Sequence, residues 1–120
     1  MTTTTTTPFD TTALVAAVEG RDADALTDLY ADDATITLLD RDHQPAAPLV
    51  LAGREEIHAY YRDICGRNIE HQVRDAVSTA DGLAFTQHCR YPEGGRVVCT
   101  TVATVRDGLI VSQTGVQVWD

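Results

Sequence analysis

The sequence predicts a small α+β domain in which three N-terminal helices lie against a strongly curved, mainly antiparallel sheet. Three observations carry this expectation. Leu26, Leu29 and Tyr30 recur at the three- and four-residue spacing of one helical face. The β-branched and apolar residues from Ala34 to Leu39 then favour an extended chain. Beyond Gly66, the turn signals Asp81-Gly82, Glu93-Gly94-Gly95 and Asp107-Gly108 divide the remaining chain into four long strands. Strands of that length in a chain of 120 residues must bend around the helices, making a half-open cone with a pocket between the layers.

The elements follow in order. Asp10, Thr11 or Thr12 caps a first helix whose apolar positions are Leu14, Ala17 and Val18, and Gly20 supplies its exit. Asp22 caps a second helix, with Asp24 in the first turn and Tyr30 on the last. Residues 34–39 form the first strand, which leaves Asp32 and Asp33 at a corner. A turn over 40–45 precedes Pro48, and Leu49 to Leu51 complete a brief edge hairpin. The third helix runs from Arg54 or Glu55 to about Cys65, with Ile57, Tyr61 and Ile64 inward and Gly66 as its stop. The long strands cover about 69–79, 83–91, 96–106 and 109–118.

Composition narrows the class. At 13.0 kDa and 43% apolar residues the chain is one domain with a core, which excludes wholesale disorder. Residues 1–9, rich in threonine, read as a flexible tail, and 10–120 as the domain. All nine basic residues are arginine, they form no stripe, and the net charge is -9, so nucleic acid and anionic membrane are disfavoured as partners. With no positively charged leader and no long apolar run, a soluble cytoplasmic protein is expected. Cys65, Cys89 and Cys99 are widely spaced and read as reduced thiols, and the four histidines show no ligand spacing, so neither metal nor cofactor is expected.

The helical pair, Tyr30-Ala31-Asp32-Asp33-Ala34-Thr35, Gly53-Arg54-Glu55-Glu56-Ile57, Tyr60-Tyr61 and the long hairpins ending in Asp107-Gly108-Leu109-Ile110 together resemble the nuclear transport factor 2-like (NTF2-like) superfamily. Within it the chain is similar to the SnoaL-like polyketide cyclase and ketosteroid isomerase branch, over about residues 10–119. The resemblance implies the cone-shaped NTF2-like fold with a hydrophobic ligand pocket. It implies no single reaction, because this scaffold carries isomerases, cyclases, dehydratases, hydrolases and plain binding modules. The pocket tyrosines of the isomerases match Tyr30 and Tyr61, whereas their three catalytic positions match Leu14, Leu38 and about Thr101. Leucine neither donates nor accepts a proton, so steroid isomerisation with that apparatus is excluded.

The family register turns Thr86, His88 and Arg90 toward the concave side of the second long strand, with Cys99 and Thr101 beside them and Gln113, Gly115 and Gln117 on the last. His88 is the candidate for proton transfer, with Asp75 as a carboxylate alternative. Tyr30, Tyr61, Gln113, Gln117 and Thr101 are the candidate ligand contacts. Plainer roles stand beside these: a hydrogen-bonded strand histidine, core aromatics, solvent-facing glutamines, and a capping corner for Asp32 and Asp33. Two functions remain open. One is an isomerase, cyclase or dehydratase acting on a polyketide-like or other hydrophobic carbonyl compound. The other is a non-catalytic ligand-binding or dimeric accessory module. Val98, Val102, Val116 and Val118 would crowd the convex face, which favours a homodimer through it, as the resemblance also implies.

Overall fold

A computed structural model describes residues 7–120, so most of the threonine-rich tail lies outside the described residues. Two short helices come first, α1 (Thr11–Glu19) and α2 (Ala23–Thr27). Asp10 and Asp22 cap them, their carboxylates accepting from the Ala13 and Ala25 N–H groups at 3.1 and 3.0 Å. Then follow β1 (Tyr30–Leu39), β2 (Leu49–Ala52), α3 (Arg54–Cys65), β3 (Glu70–Ser78), β4 (Gly82–Arg90), β5 (Arg96–Arg106) and β6 (Leu109–Trp119). The strand order is β2-β1-β6-β5-β4-β3. β1 runs parallel to β6 and every other pairing is antiparallel, so the sheet is mixed.

The strongly curved cone is not formed. The sheet is open, with β2 and β3 as its two edges, and it does not curl around the helices. The bending that long strands require is taken up locally, at register irregularities between Tyr30 and Thr35, Arg74 and Val77, and Thr104 and Val105. The short helices lie on one face, where Leu14, Val18, Leu26 and Ile57 pack against Ile36, Phe85, Val105 and Ile110. Phe9, assigned by the sequence to the tail, is buried in this core. Its N–H donates to the Thr79 carbonyl at 3.0 Å and its carbonyl accepts from Ser78 Oγ at 2.8 Å.

A second correction concerns Tyr30. It opens β1 instead of closing α2, which ends at Thr27. Tyr30 stands opposite Ile110 on the parallel partner, and the Ile110 N–H donates to the Leu29 carbonyl at 2.9 Å. This long-range pairing overrides the helical spacing of Leu26, Leu29 and Tyr30. The last hairpin agrees with its turn signal: Asp107 and Gly108 have φ of 54° and 78°, the two left-handed residues of a primed turn.

Candidate functional site

Between the sheet and the helices lies a cavity of about 90 Å³. Its floor comes from the inward side of the sheet, where Phe85, Gln87 and Cys89 of β4 face Val97, Cys99 and Thr101 of β5 and Gln113 and Gln117 of β6. Its roof is apolar and aromatic, from Leu14, Leu26, Tyr60, Tyr61 and Ile64. None of the described lining residues carries a carboxylate, guanidinium or ammonium group.

A hydrogen-bonded chain crosses this space. The Tyr61 and Tyr30 hydroxyls are 2.6 Å apart, and Tyr30 donates to Gln113 Oε1 at 2.7 Å. With its own proton committed to Gln113, Tyr30 accepts from Tyr61, so both phenolic protons are used within the chain. Burial, reinforced by the Tyr61 phenol, pushes Tyr30 well above the ordinary tyrosine range. Burial also raises Tyr61, against the opposing effect of its bonds with Tyr30 and Gln113. Both are neutral phenols near pH 7. The chain thereby fixes Tyr61 and satisfies Gln113, whose side chain would otherwise be buried at a desolvation cost.

The three cysteines also meet here. Burial raises the thiols of Cys65 and Cys99, and pushes Cys89 up to about 11, which makes them weak nucleophiles. His71, on β3, has Nδ1 within 3.2 Å of both Cys89 Sγ and Gln87 Nε2. Burial and the nearby Arg21 lower its pKa, so its ring is neutral at neutral pH. At the other side of the floor, Trp119 packs under the Arg41 guanidinium, 4.1 Å from ring centroid to Cζ, with the Tyr91 ring 5.5 Å away.

The structure brings Tyr30, Tyr61, Thr101, Gln113 and Gln117 to this one cavity. His88 and Asp75 are not among its walls. On β4 the expected register is off by one residue: Leu83 and Phe85 fill the core, and His88 lies on the opposite face of the sheet from the tyrosines. There it lines an outer hollow of about 470 Å³ with charged neighbours such as Arg74, Arg90 and Arg96. Asp75 sits exposed at the β3 irregularity with φ 56°, and its carboxylate accepts from Thr86 Oγ1 at 3.3 Å. Asp32 is on the surface, paired with Arg54 at 3.1 Å. His71, Gln87, Cys89, Tyr91 and Trp119 are among the cavity residues that the sequence did not point to. The apolar alternation of Leu83 and Phe85 was the signal for β4, since it carries Gln87 and Cys89 inward.

Among the described residues no group of three or more His, Cys, Asp or Glu side chains is placed to hold a metal ion. No helix of the described residues is long and apolar enough to cross a membrane. The outer hollow is the larger of the two and mixes charged side chains with Val98 and Val118, sharing Cys89, Val97 and Trp119 with the inner one. The inner one has no charged side chain in its described wall and holds the bonded tyrosines and Gln113.

Solved structures share this architecture. An NTF2-like protein of unknown function from Mesorhizobium loti is 17% identical, with 90% of this chain and 87% of that one covered and a TM-score of 0.78. IdmH from Streptomyces antibioticus, for which a polyketide cyclase role has been put forward, is 25% identical, with 89% and 88% covered and a TM-score of 0.66. A hypothetical protein with a ketosteroid isomerase-like fold from Catenulispora acidiphila, in complex with trimethylamine, is 22% identical, with 88% and 82% covered and a TM-score of 0.64. No curated protein matches the chain in sequence. Residues 11–113 match the family model of the SnoaL-like domain, and the chain belongs to that family, within the NTF2-like superfamily.

Proposed function

We propose that this protein binds an uncharged, largely apolar small molecule of the polyketide-like or hydrophobic carbonyl class in the cavity between sheet and helices. One observation carries the reading: the cavity is lined by aliphatic and aromatic side chains together with neutral polar groups, and by no charged group among the described residues. An ionised ligand would lose its hydration there without a counter-charge, which is costly. At about 90 Å³ the space accepts a small ring or one end of a longer molecule.

The single tryptophan of the sequence lies in the cavity wall, so its fluorescence reports occupancy. Titration with cyclohexanone is expected to change the emission saturably, and titration with cyclohexanecarboxylate at neutral pH is not. Equal response to both, or to neither, defeats the reading.

Catalysis by isomerisation, cyclisation or dehydration is the second reading, supported by the resemblance to the branch that includes IdmH. It needs a base beside the ligand. The phenols and thiols are held protonated by burial, which leaves His71 as the titratable wall group. This reading requires the tautomer protonated on Nδ1, with the Gln87 amide turned to accept from it, so that Nε2 is free as the base. Acceleration of α-proton exchange of cyclohexanone in D2O, lost in His71→Gln, supports turnover. Binding without acceleration supports the non-catalytic module. We also propose a homodimer through the outer sheet face, where Val98, Val102, Val116 and Val118 are exposed.

A further inference from the structure

We infer that the cavity ligand presents uncharged hydrogen-bond acceptors to two N–H groups in the sheet wall, His71 Nε2 and Trp119 Nε1. This rests on the binding reading above and names the polar contacts that orient the ligand. Among the described residues, these two are the buried side-chain nitrogen or oxygen atoms without a hydrogen-bond partner. Both residues line the same cavity, and Trp119 also borders the outer hollow. A buried donor left unpaired is destabilising, so two such groups in one cavity call for a partner that the fold does not supply.

The register relates them. His71 pairs with Cys89, Cys89 with Val97, and Val97 with Trp119, so the four stand in one transverse row on the inward face. Three strand spacings separate the backbones of His71 and Trp119, roughly 14 Å at about 4.8 Å each. The smaller Cys89 and Val97 lie between the two rings, which leaves the space above them for a ligand.

Both groups act as donors. Gln87 Nε2 donates to His71 Nδ1 at 3.2 Å, so the neutral ring carries its proton on Nε2. An indole N–H can only donate, and Trp119 is held by its contacts with Arg41 and Tyr91. The phenolic protons of Tyr30 and Tyr61 are committed elsewhere, so these two buried N–H groups stand with the Gln113 and Gln117 amides as neutral donors of the sheet wall. Their complement is a ketone, ester or similar neutral oxygen. A carbonyl on the neutral imidazole N–H is polarised without taking up a full charge from the protein, which is the electrophilic use of a neutral histidine.

The test uses the full chain and two rings of similar size, cyclohexanone with one acceptor and methylenecyclohexane with none. Calorimetric titration reads affinity, and ¹H–¹⁵N spectra read the indole and imidazole N–H signals. Cyclohexanone is expected to bind about tenfold more tightly or better, and to shift at least one of the two N–H signals. Loss of that preference in His71→Phe or Trp119→Phe, with retention in His71→Gln, supports the inference. Equal affinity for the two rings, or an undiminished preference in both phenylalanine variants, overturns it and leaves binding intact, the N–H groups then being partnered by water alone. Binding of neither ring overturns the binding reading and this inference with it. Should His71→Phe fail to fold, Trp119→Phe and the wild-type spectra decide the question.

Discussion

At Tyr30 one hydroxyl holds three elements together. It sits at the start of β1 and links Tyr61 of α3 to Gln113 of β6. Tyr30→Phe removes the donor for Gln113 Oε1 and the acceptor for Tyr61 while keeping the ring. Because those partners lie in a buried setting, the expected loss is about 1–3 kcal/mol. Urea unfolding at neutral pH measures it, and a loss under ~0.5 kcal/mol means that water replaces the hydroxyl. His71 gives a second residue-scale prediction. Burial and Arg21 depress its folded pKa, so between the folded and unfolded values the unfolded chain binds more protons and stability rises with pH. The contribution is present above the ordinary histidine value of about 6.5 and is lost as pH falls through the lowered folded value. Acidification from about pH 7 to about pH 5 should therefore destabilise wild type more than His71→Gln. Parallel stability profiles for the two proteins contradict the assignment.

Along the strands, what could be read from sequence depended on whether a local pattern had a competing long-range partner. The caps at Asp10 and Asp22, the third helix and the late hairpins were legible because each is set by neighbouring residues. The inward side for Gln113 and Gln117 came from the family register, since Ser112 and Thr114 leave the alternation of β6 ambiguous; both line the cavity. Tyr30 was misplaced onto a helix because its parallel partner Ile110 is far away in sequence. The family register turned His88 inward, although Leu83 and Phe85 already assign its strand the other way. Asp75 shows how an irregularity removes a residue from a site. Its left-handed backbone lies where Arg74 and Val77 of β3 pair with Thr86 and Ala84 of β4, so two residues of β3 oppose Phe85 alone. Asp75→Gly should therefore keep or raise stability by up to about 1 kcal/mol, because glycine adopts that φ without strain. Thermal unfolding reads the change, and cyclohexanone binding should be unaltered. A loss of ligand affinity in this variant would instead return Asp75 to the site.

For the molecule as a whole, the open mixed sheet leaves one face to the helices and the other to its surroundings. On the outer face Val98, Val102, Val116 and Val118 are 39%, 55%, 44% and 69% exposed. They are not scattered. Val118 stands opposite Val98, Val116 opposite Thr100, and Val102 opposite Thr114, so a β-branched patch runs from the start of β5 and the end of β6 to the middle of both. The charged outward residues Arg74, Arg90 and Arg96 lie toward β3 and the ends of β4 and β5, which makes a polar margin beside this patch. An apolar centre with a polar margin is the anatomy of an interface between proteins. A second copy placed on it would cover the valines on the face opposite Tyr30 and Tyr61, so dimerisation and ligand binding should separate under mutation. Light scattering is expected to give twice the 13.0 kDa of one chain at micromolar concentration. Val102→Lys with Val118→Lys should shift the mass toward that of one chain, because burying two ammonium groups against the partner's valines is unfavourable. Cyclohexanone affinity and the circular dichroism spectrum should stay as in wild type. A wild-type mass near 13.0 kDa across that concentration range would remove the dimer, and the exposed valines would then reflect only the preference of β-branched residues for strands.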